Sequence, residues 1–277
     1  MNIDLVNKIK KENINIKNYS YEELCKLPLV SGIIDLNFNG QEFRMLNIEN
    51  DDYVPLSYLW RESYEIFSLD IWYKITRQDS WYVDIGSHTG LYSIIGNLEK
   101  NNNNIISFEP YFMNFSRLIT NLRLNNVDTT NCFMCAISDN EGSDNFKIVK
   151  PKHFHSQGGF ISNSGNFLIS KKRLDNFDIK KKISGIKIDT EGHEYQVLLG
   201  SINLIKKYIP DMIIELNKLS FSYCYDLLKK LNYKFYFIDE KNRKLEIIDQ
   251  YANFNQKKEG INALVTTDYK IERFLDN

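Results

Sequence analysis

Trp81-Tyr82-Val83-Asp84-Ile85-Gly86-Ser87-His88-Thr89-Gly90 opens the part of the chain that decides its architecture. An apolar run ends in Asp84, a glycine turn follows, and an amphipathic segment begins at Leu91. The pattern predicts a strand, a Gly-rich turn and a helix, the first half of a nucleotide-binding βαβ unit. Ile105-Ile106-Ser107-Phe108-Glu109-Pro110 supplies the second strand. Its terminal carboxylate falls 25 residues after Asp84, where the hydroxyl pair of a ribose would need an acceptor. The glycines read G-x-x-x-G, with no G-x-G-x-x-G and no Walker lysine. Such a turn suits a nucleoside that brings no pyrophosphate, and S-adenosyl-L-methionine is the common cofactor of that description.

Strands and helices alternate onward from this unit. Helices are predicted near 90–99, 114–125, 193–206 and 220–231. Strands are predicted across 131–137, from the Asp139-Asn140-Glu141-Gly142 turn to about Val149, and at 185–189, 212–216, 233–238 and 261–267. Residues 150–170 read as irregular. Parallel βα alternation builds a doubly wound sheet with helices on both faces, and ligands of such sheets sit outside the carboxyl ends of the strands. Upstream, a helix is expected over 60–75, with Tyr64, Phe67, Ile71 and Ile75 on one stripe. Residues 33–46 read as a hairpin around Asn39-Gly40, because that pair favours the positive φ both turn positions need. Residues 1 to about 30 carry weak helical periodicity. The expected division is an N-terminal helical and hairpin extension over 1–58 and an α/β domain over 59–277. The extension could cover the pocket, form a homo-oligomer contact or cap the sheet.

At 277 residues and 43% hydrophobic, the chain can bury one large core. Its 35 basic and 36 acidic residues nearly cancel, whereas a nucleic-acid binder would show a basic surplus or stripe. No apolar run approaches the ~20 residues of a membrane span, and no signal peptide is visible. Four scattered cysteines do not make a disulfide framework, and Cys132-x-x-Cys135 lacks a second pair to complete a zinc site. A cytoplasmic, reduced protein without a transmembrane segment is expected.

Three clusters could carry chemistry. In the first, Leu91 onward offers a helix N-terminus to a ligand carboxylate, and Glu109 could accept from both ribose hydroxyls. The second is Ile186-Lys187-Ile188-Asp189-Thr190-Glu191-Gly192-His193-Glu194. There Asp189 and Glu191 leave a strand at the ligand edge and could hold a substrate hydroxyl, orient a sulfonium or act as a base. Acids capping a helix would look the same. Glu215 ends the neighbouring strand at that edge, and His193 reads as a first-turn residue. The third is the glycine-bearing loop with His153 and His155, a candidate for proton removal or an exposed polar loop. Either histidine could also join Asp189 or Glu191 around a metal, but the spacing does not demand one.

Together these motifs resemble the FkbM family of S-adenosyl-L-methionine-dependent methyltransferases. The resemblance rests on Val83 to Ser93, Phe108-Glu109-Pro110, Ala136-Ile137-Ser138-Asp139 with Glu141-Gly142, Ile186 to Glu194, and Ile213-Ile214-Glu215. It runs in order from about residue 60 to 217. It implies an α/β, Rossmann-like class I methyltransferase fold, mostly parallel with an antiparallel last strand, and O-methylation of a small molecule or sugar. Asp84, Gly86, His88 and Gly90 would then line the methionine and ribose, and Glu109 would bind the ribose diol. Pro110 and Tyr111 would border the adenine, Ala136 and Ser138 would lie near its edge, and Glu65 would stand close to the cofactor. Asp189 and Glu191 would serve the acceptor, with His155 or His153 taking its proton. Two departures stand out: His88 replaces a usual Asn, and Asn217 follows Glu215 where His is frequent. The Asn-, Lys- and Ile-rich composition points to an A+T-rich bacterial genome, where a surface-polysaccharide sugar is a sensible acceptor. The rival readings are a nicotinamide-dependent oxidoreductase, which the missing G-x-G-x-x-G opposes, and a non-catalytic S-adenosyl-L-methionine-binding protein. Nucleic-acid methylation would want an Asn/Asp-Pro-Pro-Tyr-type motif, which the chain lacks.

Overall fold

The structure, a computed structural model, describes residues 3–24, 26–98, 104–149, 158–218, 220–249 and 260–275. Its centre is a sheet whose middle strands are buried on both faces. These are β3 (Trp81–Ile85), β4 (Ile105–Phe108), β10 (Ile183–Ile188) and β11 (Asp211–Leu216). Continuous apolar runs such as Ile105-Ile106 and Met212-Ile213-Ile214 suit that position, since neither side of the strand meets water. With β5 (Cys132–Phe133), β12 (Tyr233–Asp239), β13 (Lys244–Ile248) and β14 (Ile261–Thr267), the order is β13-β12-β14-β11-β10-β3-β4-β5. Pairs from β11 to β5 are parallel, whereas β14 runs antiparallel to both β11 and β12. The order reverses between β3 and β10, so the ends of these two strands flank the crevice where such sheets take ligands.

Helices cover both faces, and the side chains of adjacent strand residues divide between two cores. On one face Tyr82, Ile213 and Leu264 meet α4 (Ile66–Thr76), α5 (Leu91–Asn97) and α6 (Phe112–Leu124), with Trp60 and Trp72 wholly buried among them. On the other, Val83, Ile186, Met212 and Ile214 meet α7 (Glu194–Gly200), α8 (Ile202–Tyr208) and α9 (Phe221–Lys229). No described helix is long and apolar enough to cross a membrane.

The hairpin forms as expected from β1 (Gly32–Phe38) and β2 (Gln41–Asn47), with φ of 51° at Asn39 and 82° at Gly40. Its inward side chains, among them Leu36, Phe38, Phe43 and Met45, join the first core. The free edge of β2 is satisfied by side chains of α6. Asn125 accepts from the Arg44 N–H at 2.8 Å and donates to its carbonyl at 2.7 Å. Asn121 accepts from the Leu46 N–H and donates to the Thr89 carbonyl, both at 2.8 Å. Arg117 holds Asp51 with both guanidinium nitrogens, at 3.1 and 2.7 Å. An edge that could template another strand is thereby closed.

Four elements differ from the sequence-based expectation. The helix over 60–75 is two helices, α3 (Tyr53–Arg61) and α4, separated where Glu62 and Glu65 take φ of 63° and 43°. Glu240, from the turn between β12 and β13, starts α4 afresh by accepting from the N–H groups of Phe67 and Ser68. The strand over 131–137 divides into β5 and β6 (Ala136–Ile137), which belong to different sheets. The part of 150–170 that is described holds β8 (Gly158–Ile161) and β9 (Phe167–Lys172), which join β6 and β7 (Gly142–Val149) in a second sheet of order β6-β9-β7-β8. Alternation was weak there, because one small hydrophobic cluster, centred on Phe146 and Ile169, is all this sheet covers. Last, the helix over 193–206 breaks at Ser201. Asp175 caps the restart by accepting from the N–H groups of Asn203 and Leu204.

Asn121 is wholly buried and spends both ends of its amide on backbone groups that would otherwise be orphaned. Asn121→Ala should therefore lower the unfolding free energy by about 1–3 kcal/mol in a urea titration.

Candidate active site

The carboxyl ends of β3, β4, β10 and β11 open into a cavity of about 600 Å³. Asp84, at the end of β3, is 1% exposed and accepts from Ser93 Oγ at 2.6 Å, and Ser93 in turn meets Ser107 Oγ at 2.7 Å. Burial pushes the Asp84 carboxyl up to about 6, against the pull of Ser93 and Lys187. The turn after it needs left-handed backbone at Gly86, His88 and Gly90, with φ of 78°, 48° and 100°.

Both glycines also pack closely against neighbouring elements. A Cβ on Gly86 would stand 1.8 Å from the Asp189 carbonyl oxygen, and one on Gly90 would stand 2.8 Å from Leu118 Cδ1. The glycines let the turn wedge between β10 and α6.

Glu109 closes the next strand. Its Oε2 accepts from the His88 N–H and its Oε1 from the Tyr111 N–H, each at 2.9 Å, so the carboxylate is held flat across the mouth of the turn. Burial pushes it up to about 8, opposed by those two N–H groups. The Asn114 side chain also donates to it.

The other end of the cavity is organised by a residue the sequence reading passed over. Lys187 lies within β10 between Ile186 and Ile188, is 1% exposed, and reaches Asp189 Oδ2 at 3.1 Å. Its ammonium sits 4.9 Å over the Tyr92 ring, and the Tyr92 hydroxyl donates to Glu65 at 2.8 Å. Burial pulls the ammonium toward deprotonation, but Asp189, Glu65 and Glu215 outweigh it and hold the lysine charged. Glu215 is held well above the usual carboxylate range by the charge of Asp189 and by burial, so it keeps its proton and donates it to Asp189. Burial opposes the charge on Asp189 too, yet Lys187 and the bond from Glu215 hold it below that range. One ionised carboxylate, clamped from two sides, thus faces the cavity. A lysine inside an all-apolar strand was the available signal, since a buried ammonium requires carboxylates nearby.

Of the residues singled out beforehand, Glu65, Asp84, Gly86, His88, Glu109, Pro110, Ala136, Asp189 and Glu191 border this one cavity. Glu65 is not in a helix as expected. It is the left-handed residue just before α4, which turns its carboxylate toward Tyr92. Gly90, Tyr111 and Ser138 stand off the wall. Tyr111 stacks at 6.2 Å behind Phe146, which does line the cavity. Ser138 meets His193 Nε2 at 2.9 Å. His193 is the N-cap residue of α7, and Asn217 accepts from the Ser220 N–H just before α9. His153 and His155 lie outside the described residues, but β7 and β8 pair Val149 with Gly158, and Gly158 borders the cavity.

Both Asp84 and Glu109 bind protons more tightly in the folded chain than in the unfolded one. Stability is therefore greatest below their ordinary range and is lost as the pH rises through about 6 and then about 8. The melting temperature of the ligand-free protein should fall between pH 5 and pH 8.5, and Glu109→Gln should flatten the upper part of that slope. Gly86→Ala should cost about 3 kcal/mol or more, measured by chemical unfolding, because it adds both a positive-φ penalty and a clash with β10.

The profile of the methyltransferase FkbM domain family matches residues 84–235, over half of the chain. Among solved structures, the methyltransferase FkbM from Methylobacillus flagellatus KT is similar at 14% identity and a TM-score of 0.44, over 93% of this chain and 60% of that one. M. jannaschii TYW2 in complex with AdoMet is similar at 12% identity and a TM-score of 0.41, over 86% of both chains. Trm5b from Pyrococcus abyssi is similar at 12% identity and 0.43, over 87% of this chain and 57% of that one. A sequence search of curated proteins finds no match. The profile spans Asp84, the glycine turn, Glu109, the Lys187–Asp189–Glu191 strand end and Glu215 in order, and the chain belongs to the FkbM methyltransferase family.

Proposed function

We propose that this chain is an S-adenosyl-L-methionine-dependent O-methyltransferase acting on a hydroxyl of a small molecule, with a sugar or glycan of a bacterial surface polysaccharide as its acceptor. The observation that carries the reading is the ionised Asp189, which faces the same cavity as Glu109 across the point where the strand order reverses. The cofactor supplies an electrophilic methyl group on a sulfonium. Glu109 suits its ribose, because two backbone N–H groups fix its carboxyl at the cavity wall, where it can meet a hydroxyl. Ala136, Ile137 and Phe146 offer an apolar wall for a base, and Asp84 with the His88 turn fits the methionine side.

Methyl transfer is an in-line displacement, so the main task of the protein is alignment, which can contribute ~7–11 kcal/mol in favourable cases. Asp189 is placed to accept a hydrogen bond from the acceptor hydroxyl and to fix its oxygen. Lys187 and Glu215 keep Asp189 charged and immobile. The hydroxyl proton passes to Asp189 or to His155 or His153, and Glu191 borders the same cavity as Asp189.

Calorimetric titration with S-adenosyl-L-methionine should give micromolar binding, weakened about 10–100-fold in Glu109→Ala, where the hydrogen bonds to the ribose are lost. Asp189→Asn should depress methyl transfer by about 10²-fold or more while binding of the cofactor stays within about threefold. Binding of NAD in place of S-adenosyl-L-methionine, or full turnover in Asp189→Asn, would defeat the assignment.

A further inference from the structure

The acidic groups around the cavity exceed what methyl transfer uses. Among the described residues, Glu65, Asp84, Glu109, Asp189, Glu191 and Glu215 border it, with Lys187 as the one lysine or arginine. Asp84 and Glu109 belong to the glycine-turn end, and Glu215 shares its proton with Asp189. Lys187 is committed to Asp189. Glu191 is left over: its side chain has no hydrogen-bond or ion-pair partner among the described residues. Its charged neighbours are chiefly Asp189 and Glu194, both negative, and with burial they push it up to about 7.

A second hollow of about 320 Å³ adjoins the first at Glu191 and Glu215 and extends to Glu194, Asn217 and Gly260. Glu194 is 1% exposed. Its Oε1 accepts from the Thr190 hydroxyl and the Gly192 N–H, but its Oε2 has no hydrogen-bond partner among the described residues. A buried carboxylate oxygen without a donor is costly unless something supplies one. Among the described residues, no basic side chain borders this hollow. S-adenosyl-L-methionine would bring one net positive charge, which Asp84 and the other acids of the main cavity would meet.

We infer that the acceptor carries a protonated amine beside the hydroxyl that is methylated, as in an amino sugar, with the hydroxyl on Asp189 and the ammonium in the side hollow between Glu191, Glu194 and Glu215. The inference rests on the O-methyltransferase reading and narrows it: acceptors whose nearby substituent is a carboxylate or phosphate are repelled, and N-acylated ones lose the ion pair.

The test uses the full chain loaded with S-adenosylhomocysteine and titrated with glucosamine, galactosamine and mannosamine. The N-acetyl counterparts, the parent neutral sugars and glucuronate serve as comparisons. At least one free amine should bind, N-acetylation should weaken that binding about tenfold or more, and Glu191→Gln should shrink the gap below about threefold. An unchanged melting temperature would show that this variant still folds. The inference is overturned if neutral sugars or glucuronate bind as tightly as every amine, or if no amine binds below about 10 mM. It is equally overturned if Mg²⁺ or Ca²⁺ alone saturates the protein and blocks amine binding, which would assign the carboxylates to a metal. Cofactor binding with no preference for amines sinks this inference alone, whereas failure of wild-type protein to bind S-adenosyl-L-methionine sinks the reading beneath it.

Discussion

The buried ammonium of Lys187 organises one end of the cavity. Lys187 sits in a fully buried strand between Ile186 and Ile188, where an unpaired charge would be prohibitively unfavourable. Its compensation comes from three separate elements: Asp189 just past the end of its own strand, Glu215 on β11, and Glu65 before α4. The Tyr92 ring, on α5, lies beneath it. Each partner must hold its position for the lysine to remain charged, and in return the lysine fixes each partner. The asymmetry between an ionised Asp189 and a protonated Glu215 follows from the same arrangement, because two carboxylates this close cannot both ionise while one of them has the ammonium.

The cofactor half depends instead on close packing. Gly86 lies so near the Asp189 carbonyl that nothing larger fits, and the Asp189 N–H donates to the Ile85 carbonyl at 3.0 Å. The turn that faces the ligand and the backbone that presents the acidic group are therefore one rigid piece. On its outer side, Asn121 ties Thr89 of this turn to Leu46 of the N-terminal hairpin. The hairpin and the turn thus share a side chain as well as a hydrophobic core.

Much of this was legible in the sequence because the physics there is local. A strand buried on both faces must read as an apolar run, a left-handed turn favours glycine or asparagine, and a carboxylate at a strand end needs no distant partner to be noticed. So β3, β4, β10, β11 and the Asn39-Gly40 hairpin could be read directly, together with Asp84, Glu109 and Asp189. What escaped was decided by contacts far apart in the chain. The break before α4 rests on a cap donated by Glu240, and the restart of α8 on Asp175. The division at β5 and β6 depends on which sheet each pair of residues joins. Lys187 was overlooked because its meaning lies in Glu65 and Glu215, neither of which neighbours it in sequence.

The Glu240 cap sets an order in time as well as in space. Asp84, the glycine turn and Glu109 come from one short stretch, so the nucleoside end of the site can form as soon as β3 and β4 pair. Glu65, by contrast, sits at a helix start whose two amide N–H groups find their acceptor 173 and 172 residues later. Contacts of such sequence separation close late, because the loop entropy must be overcome before they return any stabilisation. The end of the cavity that carries Glu65 is therefore completed last, once the turn between β12 and β13 has formed.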